Sequence, residues 1–388
     1  MKIKIVHITA VDISLRYFLL DQLVFLKDNH FDVYAISSDG EFVPVIQEAG
    51  IKHIPVNISR NFFSPIKDIF SLINLVRILR EHKFQILHAH TPKGSFLGQI
   101  AGKIAGVPII VRTVHGFYFH EHTHPLLRFL LIRMEKIGGK ISDLILSQNS
   151  EDVYTAIDTG ICDPEKILLL GNGINLTDFD PDQINPAKQK QLRKNLNIQD
   201  DDRVIGFVGR LVEEKGLLEL FQAVRIVRDS INNLKLLIIG ATDHAKKDAI
   251  TPEMAQKYGI SDICVFAGLQ EDMPLFYSLM DVFVLPAINE GIPRVAMEAS
   301  AMGIPCILNN VRGCREIVRD GENGLLVPLK DIDALSDAIM DLLTDQKRGK
   351  HMGVLGREKA LREFDEQRVF KIVLSNYQKL IDHNKIKS

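Results

Sequence analysis

Short apolar runs recur along the chain between longer segments with helical spacing. In the first part they are "IKIVHIT", "DVYAIS", "FQILHAH", "IIVRTVH", "LILSQ" and "ILLLGNG". Their unbroken Val, Ile and Leu character suits strands covered on both faces, as in a parallel sheet, whereas a half-wet antiparallel sheet would alternate. A polar stretch, "DPDQINPAKQKQLRKNLNIQDDD", interrupts the series, which restarts with "VIGFVG", "LKLLIIG", "ICVFAG", "DVFVLP", "IPCILN" and "GLLVP". The restart predicts a second doubly wound α/β domain, with the junction near Asn172 to Asp182. The expected division is a first Rossmann-like domain over 1–178 and a second over 179–365, followed by a last helix over 366–388. That helix spaces Val369, Ile372, Val373, Tyr377 and Leu380 along one apolar face, so it must pack against something. Ligands in such sheets sit beyond the carboxyl ends of the strands, where phosphates meet helix N-termini, and two facing domains would set a cleft between those ends.

A length of 388 residues is ample for two cores. Lys and Arg number 47 against 49 Asp and Glu, a formal charge of -2, so no global field draws the chain to nucleic acid and any anion must be held locally. Cys162, Cys264, Cys306 and Cys314 form neither a CxxC pair nor a disulfide framework, which favours a reducing, cytoplasmic setting. The start "MKIKIVHITAVDISLR" meets Asp12 too soon for a secretory apolar region and reads as a first strand. The longest run free of Asp, Glu, Lys and Arg is Ala299 to Val311, too short to span a bilayer.

The stretch "DVFVLPAINEGIPRVAMEASAMGIP" carries the most chemistry. A strand ends near Ala287, and Pro293 suits the first turn of a helix that runs to Met302 and stops at Gly303. The free amides around Arg294 and Val295 can bind a phosphate without any basic side chain. Glu290 lies just before that anion site and Glu298 inside the helix. Carboxylates there would repel a phosphate, so each should accept from hydroxyls: one from a ribose and the other from a transferable sugar, with a diphosphate between them.

The wording "INEGIPRVAMEASAMGIPCILNNVRGCREIVRDGENGLLVP" resembles the signature of retaining glycosyltransferase family four, with its two glutamates separated by seven residues and a following Gly-x-x-Glu-Ile loop. The resemblance implies a GT-B architecture of two facing Rossmann-like domains, no metal cofactor, a nucleoside-diphosphate sugar as donor, and retained anomeric configuration. It also implies that the last helix crosses back onto the first domain. Carried over, Glu290 would contact donor-sugar hydroxyls and Glu298 the ribose. In "GFVGRLVEEKGLLEL", Gly209 would let the chain turn while Arg210 and Lys215 converge on the diphosphate, supplying the charge a metal would otherwise provide. The plainer alternative is surface pairing of Arg210 and Lys215 with Glu213 and Glu214. In "RTVHGFYFH", His115 would meet the donor sugar or orient the acceptor. In "ILHAHTPKGSFLGQIAGKIAG", His90 and Lys93 either face the cleft or cap the following helix. The chain departs from the family in "TAVDISLRYFLL", which lacks the usual Gly-Gly after the first strand, so Asp12 and Ser14 are expected to cap the helix and touch the acceptor.

Other signals carry less. His120, His122 and His124 alternate, so an extended chain would point all three to one side as metal ligands, but an exposed loop is the simpler reading, and "DFDPD" at Asp178 to Asp182 reads as turn chemistry rather than a metal motif. "NFFSPIKDIFSLINLVRILREHK" and "PLLRFLLIRMEKIGGK" mix apolar and basic residues; either they face the interior or they lie on an anionic membrane surface. The expected function is transfer of a sugar, with uridine as the base by family frequency, to a glycan or polyprenyl-linked acceptor in cell-surface polysaccharide synthesis. A surface-helix reading would seat the protein on the inner face of the cytoplasmic membrane. The rival readings are a sugar-nucleotide epimerase of the same architecture, which needs no acceptor, and a non-catalytic sugar-nucleotide-binding subunit.

Overall fold

The computed structural model describes residues 2–59, 64–119, 123–242 and 248–386. The chain divides into two compact units, Met1–Gly171 with Arg368–Ser388, and Asn172–Gln367. The division falls before the expected 178 because Ile174 is fully buried in the second unit's core, where its N–H bonds the Phe364 carbonyl and its own carbonyl accepts from Glu366.

The first unit holds a parallel seven-stranded sheet in the order β3-β2-β1-β4-β5-β6-β7. Its strands are β1 Lys4–Val11, β2 Asp32–Ser38, β3 Lys52–Pro55, β4 Ile86–Ala89, β5 Ile109–Val114, β6 Leu144–Ser147 and β7 Ile167–Leu169. Side chains alternate between the two faces of each strand, and both faces are covered. Val6, Ile8, Leu87 and Ile110 meet helices α1 (Pro65–His82) and α2 (Pro92–Ala105), with α3 (Pro125–Ile141) beside them. Ile5, Ile86, Ile109 and Val111 face the other way.

The second unit holds a parallel six-stranded sheet in the order β10-β9-β8-β11-β12-β13. Its strands are β8 Arg203–Val208, β9 Leu234–Ile239, β10 Cys264–Gly268, β11 Val282–Leu285, β12 Cys306–Asn309 and β13 Gly324–Val327. One core cluster joins this sheet to helices α4 (Leu217–Val227) and α5 (Arg294–Ala301). The last helix, α6 (Glu366–His383), returns to the first unit, where Val369, Phe370, Val373, Tyr377 and Ile381 cover the Ile5 and Ile86 face. Strand order reverses between β1 and β4 in one sheet and between β8 and β11 in the other, the positions at which such sheets leave a crevice for ligands.

Candidate functional site

Lys215 and Glu290 meet at the β8/β11 reversal. The loop after β8 carries Lys215, the loop after β11 carries Glu290, and Lys215 Nζ donates to Glu290 Oε1 at 2.5 Å. Both side chains are mostly buried. A backbone bond pins the two loops together, and a side chain from the end of β12 braces the second. Ile288 N–H donates to the Glu214 carbonyl at 3.0 Å, and Asn309 Nδ2 donates to the carbonyls of Pro286 and Ala287 at 2.8 and 3.2 Å. Gly216 has φ +74 and lies so close to the Pro286 carbonyl that a Cβ would sit 1.9 Å from its oxygen. Only glycine fits both constraints, which explains the residue after Lys215.

Gly313 supports the loop from β12 onward, its N–H donating to the Glu290 carbonyl at 3.3 Å. A Cβ there would stand 1.8 Å from the Gly291 carbonyl oxygen. Because the obstacle is backbone, Gly313→Ala is expected to lower stability by about 1–3 kcal/mol and displace Glu290. Thermal unfolding and a structure of the variant check both effects.

Gly209 behaves differently from expectation. Its own φ is unremarkable and a Cβ would make ordinary contacts, the nearest 3.6 Å from Phe207. The crowded group is its carbonyl, against which Gly240, at φ +144, packs. Arg210 pairs with Glu214 on the surface, both about half exposed, while Lys215 reaches across to Glu290. The exposed pair is worth little and can open at small cost.

Pro293 is the residue preceding α5 rather than a member of its first turn, with φ -69 and ψ 110. Its carbonyl takes the N–H groups of Ala296 and Met297 at 3.0 and 3.2 Å, which leaves the amides of Arg294 and Val295 as the first-turn donors. The helix runs Arg294–Ala301, and Gly303 follows at φ +74. Glu298 is buried in this helix, accepting from the Tyr277 hydroxyl at 2.9 Å and lying 3.4 Å from Arg294 Nε. Burial raises its pKa, opposed by Arg294 and by the Tyr277 hydrogen bond. Burial and the neighbouring Glu298 push the Tyr277 phenol well up, so it stays protonated and donates.

At the β1/β4 reversal the expectations need correction. Asp12 and Ser14 cap nothing: the turn they open is preceded by Val11 without a side-chain cap, and Asp12 Oδ2 accepts from Phe42 N–H at 2.9 Å. His90 and Lys93 do not cap α2 either. Thr91 precedes that helix with φ 59, a strained value for a β-branched residue, and its hydroxyl accepts from Ala10 N–H at 3.2 Å. Lys93 donates to Ser64 at 2.6 Å and pairs with Asp68 at 2.8 Å. His90 is buried and bonds His115, which follows β5, at 3.2 Å. Burial lowers the His115 pKa to about 4.

The "DFDPD" stretch is a turn: Asp180 accepts from Asp182 N–H at 3.2 Å and pairs with Arg357 at 2.7 Å. His120 and His122 lie outside the described residues; His124 immediately precedes α3.

A sequence model of "Glycosyl transferases group 1" matches residues 188–359, and one of "Glycosyl transferase 4-like" matches 4–149. The chain is 30% identical to the Escherichia coli UDP-Gal:alpha-D-GlcNAc-diphosphoundecaprenol alpha-1,3-galactosyltransferase, over 89% of each protein. It is also 30% identical to the Staphylococcus aureus capsular polysaccharide biosynthesis glycosyltransferase CapM, over 96% of each. The chain is a group 1 glycosyl transferase. Among solved structures, Anabaena HepE in complex with UDP and glucose superposes with a TM-score of 0.81 at 19% identity, covering 97% of this chain and 99% of that one. The fold of the transferase is thus of the GT-B type, built on two Rossmann-like units. Its group 1 match contains Lys215, Glu290 and Glu298, and its 4-like match contains His115.

Proposed function

We propose that the enzyme is a retaining, metal-independent transferase that moves a hexosyl or N-acetylhexosaminyl group from a uridine-diphosphate sugar to a polyprenyl-diphosphate-linked glycan in cell-surface polysaccharide synthesis. The observation that carries this reading is the Lys215–Glu290 pair at the β8/β11 reversal, a cation and a carboxylate held side by side where a phosphate and a sugar hydroxyl would need adjacent seats. Lys215 and Arg210 take the diphosphate together with the amides of Arg294 and Val295, in the segment that Pro293 opens. Glu290 accepts from donor-sugar hydroxyls, Glu298 from the ribose, and His115 serves the transferred sugar or the acceptor. The acceptor oxygen bonds the anomeric carbon as that carbon's bond to the diphosphate oxygen breaks, and the hydroxyl proton passes to the leaving diphosphate on the same face. Charge growing on the diphosphate is met by Lys215, held in place by its contact with Glu290, and by Arg210 once its exposed pair with Glu214 opens. The E. coli relative's name, with its UDP-galactose and diphosphoundecaprenol-linked acceptor, supports the donor and acceptor classes.

The test is UDP release from a panel of UDP-sugars, in EDTA, with and without polyprenyl diphosphate-linked N-acetylglucosamine. Acceptor-dependent release and an α-linked product are expected. Release abolished by EDTA, or a β-linked product, would overturn the mechanism.

An anionic membrane is the proposed seat of the acceptor. Helix α1 buries Ser71, Leu75, Ile78 and Leu79 but exposes Ile66, Ile69, Phe70 and Ile73, a second apolar stripe at helical spacing. Helix α3 exposes Leu126, Leu127, Phe129 and Leu130. Lys67 and Arg77 on α1, with Arg133 and Lys140 on α3, are also exposed and supply charge complementary to lipid phosphates. No helix among the described residues is long and apolar enough to cross a membrane. Wild-type protein is expected to co-sediment with phosphatidylglycerol-rich vesicles at low salt, and an Ile66→Glu, Phe70→Glu variant to stay in the supernatant. Equal sedimentation of the two would reject the surface.

A further inference from the structure

Alternation along β1, β4 and β5 places His7, His88 and Thr113 on the sheet face that α6 covers, the face of Ile5, Ile86 and Ile109. His7 and His88 are register partners on adjacent strands. All three side chains are buried, and Tyr377 of α6 descends onto them. Its hydroxyl lies 2.6 Å from His88 Nδ1 and 3.3 Å from His7 Nε2. From there the contacts run without a break: His7 Nδ1 to His90 Nε2 at 3.0 Å, and His90 Nδ1 to His115 Nε2 at 3.2 Å. At the far end His88 Nε2 meets Thr113 Oγ1 at 2.7 Å.

The same three imidazoles, His7, His88 and His90, offer nitrogen atoms within 4.8 Å of one another, a spacing that suits a metal ion. Each of their ring nitrogens, however, already has a hydrogen-bonding partner, which accounts for the cluster as a relay. Burial lowers His7 to about 3 and His88 and His90 well below the usual imidazole range, so the rings are neutral at physiological pH. A neutral imidazole has one N–H and one lone pair, so each ring that donates on one side must accept on the other. The direction chosen at one link therefore fixes every other link.

The short bond decides the direction. Tyrosine is the better acid, so it donates to His88 Nδ1, and His88 Nε2–H donates to Thr113. The Tyr377 oxygen then accepts from His7 Nε2–H, His7 Nδ1 accepts from His90 Nε2–H, and His90 Nδ1 accepts from His115 Nε2–H. His115 is left with its proton on Nε2 and its lone pair on Nδ1, where the side chain of Gln148, which also hydrogen-bonds His115, supplies an amide N–H.

We propose that Tyr377, His7 and His90 are positioning residues that lock His115 in the Nε2–H tautomer, so that Nδ1 stays a hydrogen-bond acceptor, held by the Gln148 side chain in the ligand-free protein and exchanged for a hydroxyl of the sugar being transferred or of its acceptor. The relay ties seating of the C-terminal helix to the chemistry of a residue whose codon lies far upstream. The inference rests on the reading of His115 given under the proposed function.

The test is long-range 1H–15N correlation of the histidine rings in the full-length enzyme, with Tyr377→Phe as the first variant. Wild-type His115 should show the Nε2–H pattern alone. Tyr377→Phe removes only the hydroxyl and should give a mixture of tautomers, with kcat/KM lower by about two- to tenfold, because only the fraction in the right tautomer is competent. His7→Asn, which cuts the relay at another link, should give the same mixture. A wild-type His115 already present as two tautomers, or one unchanged in both variants whatever their melting temperatures, overturns the relay. If instead His115→Asn transfers sugar at the wild-type rate, the catalytic use of the tautomer falls while the relay itself stands.

Discussion

Lys215→Ala is expected to lower kcat/KM by about 10²–10³, the loss typical when one fixed donor to developing charge is removed from an enclosed site. Arg210 cannot compensate fully, since its guanidinium is half exposed and paired with Glu214, whereas Lys215 is held in a mostly buried contact at 2.5 Å. The loss has two parts. On the proposed function the diphosphate loses a cation, and Glu290 loses the partner that offsets its burial. Glu290→Gln, in contrast, keeps the shape but weakens acceptance from donor hydroxyls. Because the two residues touch, their effects should not add: the double variant is expected to be much less impaired than the product of the single losses implies. Steady-state kinetics of the four proteins give the coupling directly. Wild-type kinetics in Lys215→Ala would remove the pair from the mechanism.

The strands were largely legible because buried parallel strands are continuous apolar runs. The exception, β3, reads "KHIP": it is an edge strand of four residues, half wet, and ends in proline, so it carries none of that signal. The face of α6 was legible from its spacing, and Val369, Val373 and Tyr377 are buried as the pattern demands. The loop before α5 and the two glutamates were legible as words. What they bond to was not. Lys215 sits beside Glu213 and Glu214 in sequence, yet its partner is Glu290, 75 positions away, because the reversal of strand order makes β8 and β11 neighbours. Tyr277 as the partner of Glu298, and Tyr377 as the partner of His88, are likewise contacts that topology creates. The histidines carry a further local signal. "IVHIT", "ILHAH" and "RTVHG" place histidines within or at the end of apolar strands, and a buried histidine there requires hydrogen-bonding partners.

Glu298→Gln should separate what the helix α5 site costs from what it does. Burial raises the Glu298 pKa above the ordinary carboxyl value, despite the opposing Arg294 and Tyr277. The folded state therefore holds this proton more tightly than the unfolded chain. The stability this contributes is fully present below the ordinary carboxyl pKa and is lost as pH rises through the raised folded value. At neutral pH the ionised side chain is a net cost to the ligand-free fold. Glutamine is the same shape and still accepts from the Tyr277 hydroxyl, but it cannot ionise. The variant should thus melt above wild type at pH 7, and the gap should narrow as pH falls through the carboxyl range. Binding should move the other way. A carboxylate accepting from ribose hydroxyls makes charge-assisted bonds, and their loss should weaken UDP binding by about 10- to 100-fold. Titration calorimetry with UDP and melting curves between pH 4 and pH 7 test both limbs on one protein. A variant that binds UDP as tightly as wild type would place the ribose elsewhere, and one that melts below wild type at pH 7 would mean that the Arg294 contact outweighs burial. The expected combination, a more stable fold with a weaker grip on the nucleotide, is the mark of a carboxylate kept for its ligand rather than for the fold.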